Sequence, residues 1–222
     1  MEETLVRVHP LLLGFSVAFL LEGKDGPILV DAGLAGSERL LWAQMRARGF
    51  APQDLRLVVL THAHIDHCGC LPAVLRESHA PLAAHPLAAS RLQGGPALLP
   101  EGRGLWGRTM AASFRLFRPW LSTPRLEIAL PLEDGAELEG WGLPAQVLYT
   151  PGHTADSLSL LLEDGTALVG DLVVGPGRWA RPQPYFIEDE EALAASIARL
   201  REKGPRRLYA AHWLHPLRLK GT

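Results

Sequence analysis

LRLVVLTHAHIDHCGC occupies residues 55–70. It opens on an apolar run of strand length and closes on three histidines, one aspartate and two cysteines within ten residues. A short apolar run of this kind reads as a buried strand, so the metal-capable side chains would emerge where that strand leaves its sheet. His62 and His64 are two residues apart. In extended chain that spacing turns both side chains to one side, where two imidazoles can converge on one cation. LPAVLRE follows from residue 71 and reads as a helix, which places Asp66 and His67 near its start. Adjacent residues on a turn or helix diverge, so this second pair is able to serve a neighbouring cation. The chain holds nine histidines and nine aspartates in 222 residues. The pattern HxHxDH would then arise by chance with a probability on the order of one in a thousand, which makes it a specific motif.

The whole chain bounds what such a site can belong to. Its 222 residues suffice for a single α/β domain. Apolar residues make up 47% and charged residues 21%, and the net charge of −2 carries no global signal for a nucleic-acid or membrane partner. Cys68 and Cys70 are the only cysteines. Their C-x-C spacing rarely meets disulfide geometry, which favours a reducing compartment. LLLGFSVAFLL, residues 11–21, is too short to span a bilayer. It lacks a basic stretch before it and a small-residue cleavage site after it, and reads as a buried strand. The chain is therefore expected to be cytoplasmic and to act on a small molecule, with a homo-oligomer left open.

Strand-like segments frame the motif. ETLVRVHP is a candidate strand, FSVAFLLEG and GPILVDAG form a hairpin about KDG, and SERLLWAQMRARGF reads as a helix with Ser37 at its start and Gly49 at its stop. In the second half QVLYT, LSLLLEDGTALVGD and RRLYAAH read as strands, and EDEEALAASIARLREK as a helix with acids first and bases last. Residues 86–125 stand apart as a helical insertion in an otherwise single domain covering 1–222. Arginines 91, 103, 108, 115, 118 and 125 face one acid, Glu101, between residues 91 and 125. Those charges either belong to a solvated surface helix or receive an anionic substrate, and Trp106, Phe114, Phe117 and Trp120 offer area to an acyl or aryl group.

Four ligands do not complete two cations, since zinc takes four partners each. Three further metal-capable residues end predicted strands: His153 in QVLYTPGHTADS, Asp171 in ALVGD and His212 in RRLYAAH. Strand ends are where α/β sheets build their sites. THAHIDH, TPGHT, VGD and the late AAH, in that order and with VDAG at 30–33, resemble the metallo-β-lactamase superfamily from about residue 5 to residue 212. The resemblance implies an α/β fold, a four-layer αββα sandwich with a dinuclear metal site at one edge. It implies that His62, His64 and His153 hold the first metal, that Asp66, His67 and His212 hold the second, that Asp171 bridges them and that Asp31 supports the ligands from behind. The implied cofactor is two zinc ions, with iron or manganese as alternatives. Cations about 3.5–4 Å apart share and acidify a water, giving a metal-bridged hydroxide near neutral pH. Asp66 is in addition the candidate catalytic residue for orienting the nucleophile or moving protons. His215 is a candidate proton shuttle or an exposed bystander.

Departures from relatives narrow the substrate. The family's DHxGG is DHCGC in this chain, with Cys70 in place of the second glycine. With both metals already supplied, Cys68 and Cys70 are expected to pack as small buried residues. Glyoxalase II enzymes carry a C-terminal helical region that the ten residues after His212 do not provide. Acyl-homoserine lactonases often place a tyrosine soon after the bridging aspartate, where GDLVVGPG has none. Secreted β-lactamases carry a signal peptide, and RNA-processing relatives carry large added domains. Persulfide dioxygenases lose second-site ligands, whereas all seven candidates are present. The expectation is a metal-dependent hydrolase of an ester, thioester or lactone. The alternatives are a phosphodiesterase and an iron-dependent enzyme of sulfur or oxygen redox chemistry.

Overall fold

The computed structural model describes residues 6–96, 102, 105, 107–109, 111, 112, 122–175 and 186–218. Along the chain run β1 (Val8–Leu13), β2 (Ser16–Gly23), β3 (Gly26–Val30), α1 (Glu38–Arg46), β4 (Leu57–Leu60), α2 (Ile65–Cys68), α3 (Leu71–Ser78) and β5 (Leu82–Ala84). They continue as β6 (Gln93–Pro96), β7 (Ser122–Arg125), β8 (Leu130–Pro131), β9 (Ala145–Tyr149), β10 (Leu158–Leu162), β11 (Thr166–Leu168), α4 (Glu190–Glu202) and β12 (Arg207–Tyr209). One sheet has the order β1-β2-β3-β4-β5-β8, a second has the order β12-β11-β10-β9, and β6 and β7 pair as a separate ribbon.

The period-two alternation of the strands sorts their apolar residues into layers. Ala18, Leu20, Leu29, Val58 and Leu60 pack with Leu41 and Met45 of α1 and Leu71 and Val74 of α3. Their sequence neighbours Phe19, Leu21, Ile28, Val30, Leu57 and Val59 point the other way, against Val147, Leu158, Leu160 and Leu168 of the second sheet. Leu148, Ala167 and Leu208 leave that sheet's far face and meet Leu193, Ile197 and Leu200 of α4. The result is helix, sheet, sheet, helix: the αββα sandwich. Each of these large side chains contributes about 1.5–3 kcal/mol by burial, and a one-residue slip of any central strand would exchange its two packing surfaces.

Two expectations change. LLLGFSVAFLL is not one strand: the chain reverses at Gly14 (φ +86) and Phe15, and Leu11–Leu13 pairs antiparallel with Ser16–Ala18. The hydrophobicity of the stretch comes from two strands of one buried hairpin, and the turn is marked only by Gly14. The 86–125 segment includes paired strand and not helix alone. It begins with a 3-10 turn at Pro86–Ser90, and its two borders, β6 and β7, pair with each other. Residues 107–109, 111 and 112 are helical, while Trp106, Phe114, Phe117 and Trp120 lie outside the described residues. Among the described residues no helix is long and apolar enough to cross a membrane.

The sandwich brings five strand ends to one edge. β3 and β4 run parallel, as do β11 and β12. Asp31, the 61–67 stretch, Asp171 and His212 therefore leave the two sheets on the same side, where His153 follows the end of β9. The Leu158 N–H donates to Thr61 O at 2.9 Å and the Val17 N–H to Ala211 O at 2.6 Å, which ties the two sheets together at this edge.

Candidate metal centre

The seven residues named above come together in three overlapping groups: His62, His64 and His153; His62, His67 and Asp171; and Asp66, His67 and His212. Within each group the ligand-capable atoms lie within 4.8 Å of one another. In the first, His62 Nε2 and His153 Nε2 lie 3.1 and 3.0 Å from His64 Nδ1. The three rings stand nearly perpendicular to each other, at 78°, 89° and 87°, so their nitrogens meet edge-on at one point. In the other triad Asp66 Oδ2 lies 3.7 Å from His67 Nε2 and 3.5 Å from His212 Nε2. Asp171 spans both: its Oδ2 is 3.5 Å from His153 Nε2 and 3.1 Å from His212 Nε2, and its Oδ1 is 3.7 Å from His67 Nε2.

Whether these residues fit cations is decided by the other nitrogen of each ring. The nitrogen not facing the cluster fixes the tautomer. His153 Nδ1 donates to Phe186 O at 2.7 Å and His212 Nδ1 donates to Phe15 O at 2.7 Å, because a carbonyl only accepts. His67 Nδ1 donates to Asp31 Oδ2 at 2.8 Å. The Thr61 hydroxyl gives its one proton to Asp31, at 2.8–3.0 Å, and so accepts from His62 Nδ1 at 3.1 Å. Four Nε2 atoms are thereby left to face the centre, each open to a proton or a cation. In the first triad two such lone pairs face a single His64 nitrogen. His67 Nε2 and Asp171 Oδ1, 3.7 Å apart, are moreover buried without a hydrogen-bond partner. Convergent lone pairs with unsatisfied buried acceptors are costly by themselves, and borderline cations that favour imidazole and carboxylate remove that cost.

Electrostatics divides the two triads. Burial, and after it the neighbouring imidazoles, pushes His62 and His64 well below the usual imidazole range. Burial also lowers His153. These three are neutral, the form a cation requires. Burial lowers His67 as well, but Asp31, Asp66 and Asp171 outweigh it and raise the ring to about 10. Asp171 raises His212 to about 9. Burial works to raise Asp171 itself, and His212 and His67 overcome it, holding the carboxyl well below the usual carboxylate range.

The local backbone explains how the sequence holds these groups. α2 starts after His64, whose extended φ/ψ of −75° and 151° keeps it in line with His62 while Ile65–Cys68 turns away. Gly69 is needed because a Cβ there would stand 2.5 Å from Ile65 O and 2.6 Å from Ala35 N. Gly152 (φ +134) lets the His153 turn approach α4 so closely that a Cβ would overlap the Leu193 backbone. Asp31 sits at φ +61, a left-handed conformation that few side chains other than Asn and Asp tolerate. From there its carboxylate accepts the Thr61 N–H at 2.8 Å, the Thr61 hydroxyl and the His67 ring. Cys68 and Cys70 are buried in the first core cluster and carry free thiols. Burial, and then Glu38, pushes the Cys70 thiol up to about 12.

The sequence carries no signal for several supports. Ser16 Oγ donates to Asp66 O at 2.5 Å, and Asp156 Oδ2 accepts the Ala63 N–H at 2.8 Å. A serine at a hairpin turn and an aspartate after TPGHTA look like ordinary turn residues. The remaining histidines belong to none of these three groups: His9 lies 2.6 Å from Glu22, His79 ends α3 at φ +59, and His85 stacks on Tyr149 with centroids 4.3 Å apart. His215 is exposed and lies near Trp213, at 6.4 Å between ring centroids.

A cavity of about 270 Å³ opens beside the second triad, lined by Leu12, Phe15, Val17, His212, Trp213 and Leu214 among others.

Comparison with known proteins gives this arrangement a family. A probable metallo-hydrolase of Bacillus subtilis, YflN, is 27% identical to the chain over 228 residues, covering 92% of this chain and 83% of its own length. The atrochrysone carboxyl ACP thioesterase of Aspergillus fumigatus is 27% identical over 83% of this chain, which spans 46% of that enzyme. Among solved structures, TTHA1623 in a di-iron-bound form is 29% identical, with a TM-score of 0.65 over 92% of this chain and 91% of its own. The family model of the metallo-beta-lactamase superfamily matches residues 11–212, from the first sheet's opening hairpin to the last histidine of the cluster, and the chain belongs to that superfamily.

Proposed function

We propose that the protein is a dinuclear metal-dependent hydrolase of a small ester, thioester or lactone. His62, His64 and His153 would hold one cation, Asp66, His67 and His212 the other, and Asp171 both. The observation that supports this most is the set of Nε2 atoms whose partner nitrogens are already committed to Asp31, Thr61, Phe15 and Phe186. When bound, the cations would supply Lewis acidity, polarising a carbonyl and acidifying water. The chain's own part is orientation and proton handling. Asp66, with a side chain 26% exposed, is the acidic group that faces both the second triad and solvent, which suits its carboxylate to orient an attacking water and accept its proton. Phe15, Trp213 and Leu214 give the neighbouring cavity apolar walls that suit an acyl group. The fungal relative's named thioester chemistry and YflN's name as a metallo-hydrolase agree with this reading.

Aryl esters, acyl thioesters and lactones offered to the zinc-loaded protein are expected to turn over, and phosphodiesters are not. Phosphodiester turnover alone would overturn the assignment. Iron is the second reading for the metal, favoured by the di-iron form of TTHA1623. Elemental analysis of the protein as purified separates zinc from iron and manganese, since imidazole-carboxylate sites accept all of these.

The raised pKa values give a pH prediction for metal uptake. In the metal-free protein His67 (about 10) and His212 (about 9) hold protons at pH 7. A cation at their Nε2 atoms must displace those protons, whereas the neutral first triad releases none. Second-site affinity should therefore rise with pH, by about tenfold per unit for each proton displaced, and level off above the two pKa values. Calorimetry in buffers of different ionisation heat would check this. Uptake of both cations without proton release at pH 7 would contradict it.

A further inference from the structure

Arg91 lies in the arginine-rich stretch whose charges sequence alone assigns to solvent or to an anionic substrate. Its side chain is only 12% exposed. Nε stands 3.0 Å from Asp156 Oδ1, a charge contact without hydrogen-bond alignment, and Nη2 donates to both Glu188 carboxylate oxygens at 2.8 and 2.7 Å. Each carboxylate in turn grips backbone next to the first triad. Asp156, with a side chain 0% exposed, accepts the N–H of Ala63, the residue between His62 and His64. Glu188 Oε2 accepts the Ala155 N–H at 2.9 Å, and the Glu188 N–H reaches Gly152 O and His153 O at 2.9 and 3.2 Å. Phe186, two residues earlier, receives the His153 ring proton. One guanidinium thus joins the two backbone segments that carry all three histidines of the first triad.

Stability alone is a weak reason for such a group. A buried ion pair often does no better than well-packed apolar residues of the same volume. What the planar fork of arginine adds is a fixed angle and separation between two carboxylates, which the single ammonium of lysine does not reproduce. We propose that Arg91 is a positioning residue for the three-histidine site. By holding Asp156 and Glu188 apart at a set distance, it sets how His62, His64 and His153 converge, and so the affinity of that site relative to the Asp66–His67–His212 site. This rests on the metal-centre reading above.

Cobalt(II) titration against a competing chelator tests it, with the two sites told apart by the paramagnetically shifted Nδ1–H signals of His62 and His153 against those of His67 and His212. Arg91→Met is expected to weaken the three-histidine site by about 10–100-fold, the usual effect of losing a group that orients ligands. The other site should change by less than about threefold, and Arg91→Lys should fall between wild type and Arg91→Met. Glu188→Gln leaves the buried Asp156 paired with Arg91. It should weaken the first site by a smaller factor, and it serves as the test if Arg91→Met does not fold. In metal-free protein, exchange of the Ala63 amide should quicken by about tenfold in Arg91→Met, because its acceptor Asp156 is no longer held. Unchanged site affinities with an unchanged Ala63 amide would overturn the proposal. So would equal weakening of both sites, the mark of a general loss of packing. A wild-type protein that takes up no cobalt would instead overturn the metal-centre reading, and with it this role.

Discussion

Asp171→Asn is expected to lose cations from both sites and at least about 10³-fold of kcat/KM while the chain stays folded. Asp171 is placed between the triads, with Oδ2 facing His153 Nε2 at 3.5 Å and His212 Nε2 at 3.1 Å. Of the seven candidate ligands only Asp66 and Asp171 are anionic, and Asp66 faces the second triad alone. Asparagine keeps the shape and removes half of that negative charge from a buried site. The loss follows from a Lewis-acid contribution of several kcal/mol to the transition state, at about 1.4 kcal/mol per tenfold. Metal content per chain, kcat/KM and a circular dichroism spectrum measured on one preparation would check it. A folded Asp171→Asn protein that keeps two cations would remove the bridging role from Asp171 and leave the two sites independent.

Asp31→Asn is expected to fold and yet to lose the second cation. Asparagine tolerates the φ of +61 at this position, and its carbonyl oxygen can still accept the Thr61 N–H that Asp31 Oδ1 accepts at 2.8 Å. Its amide nitrogen then takes the place of Oδ2, 2.8 Å from His67 Nδ1. A donor there requires an acceptor on the ring, so the His67 proton moves to Nε2, the atom a cation needs. Second-site affinity should fall by at least the 10–100-fold typical of disturbed ligand support. Asp31→Ala should do more harm to the fold. It leaves a buried N–H and hydroxyl of Thr61 without their acceptor, at about 1–3 kcal/mol each, and forces a poorly tolerated left-handed backbone. Thermal melts with and without zinc separate the two variants. Equal metal-free stability of Asp31→Ala and wild type would show that Asp31 is not the support its hydrogen bonds describe.

Much of this site could be read without coordinates, for physical reasons. Metal chemistry admits few side-chain types, and extended chain makes a spacing of two meaningful, so His62 and His64 announce a shared target. His153, Asp171 and His212 stand out because each ends an apolar run, and parallel strands deliver their ends to one edge. Alternation of apolar residues in runs such as SVAFLL and LVVL already carries both faces of a sheet buried between layers. The turn at Gly14 escaped because two apolar strands joined by a two-residue turn have the same composition as one longer strand. Supporting contacts escaped for a different reason. Ser16, Asp156 and Arg91 are common surface residues by type, and their partners lie 50, 93 and 97 positions away. Hydrogen bonds and ion pairs of that range have no local pattern, because they depend on where two sheets and a turn come to rest. The sequence by itself determined which atoms can bind cations and the layered fold that gathers them. Only the tertiary structure decided which nitrogen of His67, His153 and His212 faces inward, since the opposite nitrogen donates to a carboxylate or carbonyl at least 33 positions away that folding alone brings near.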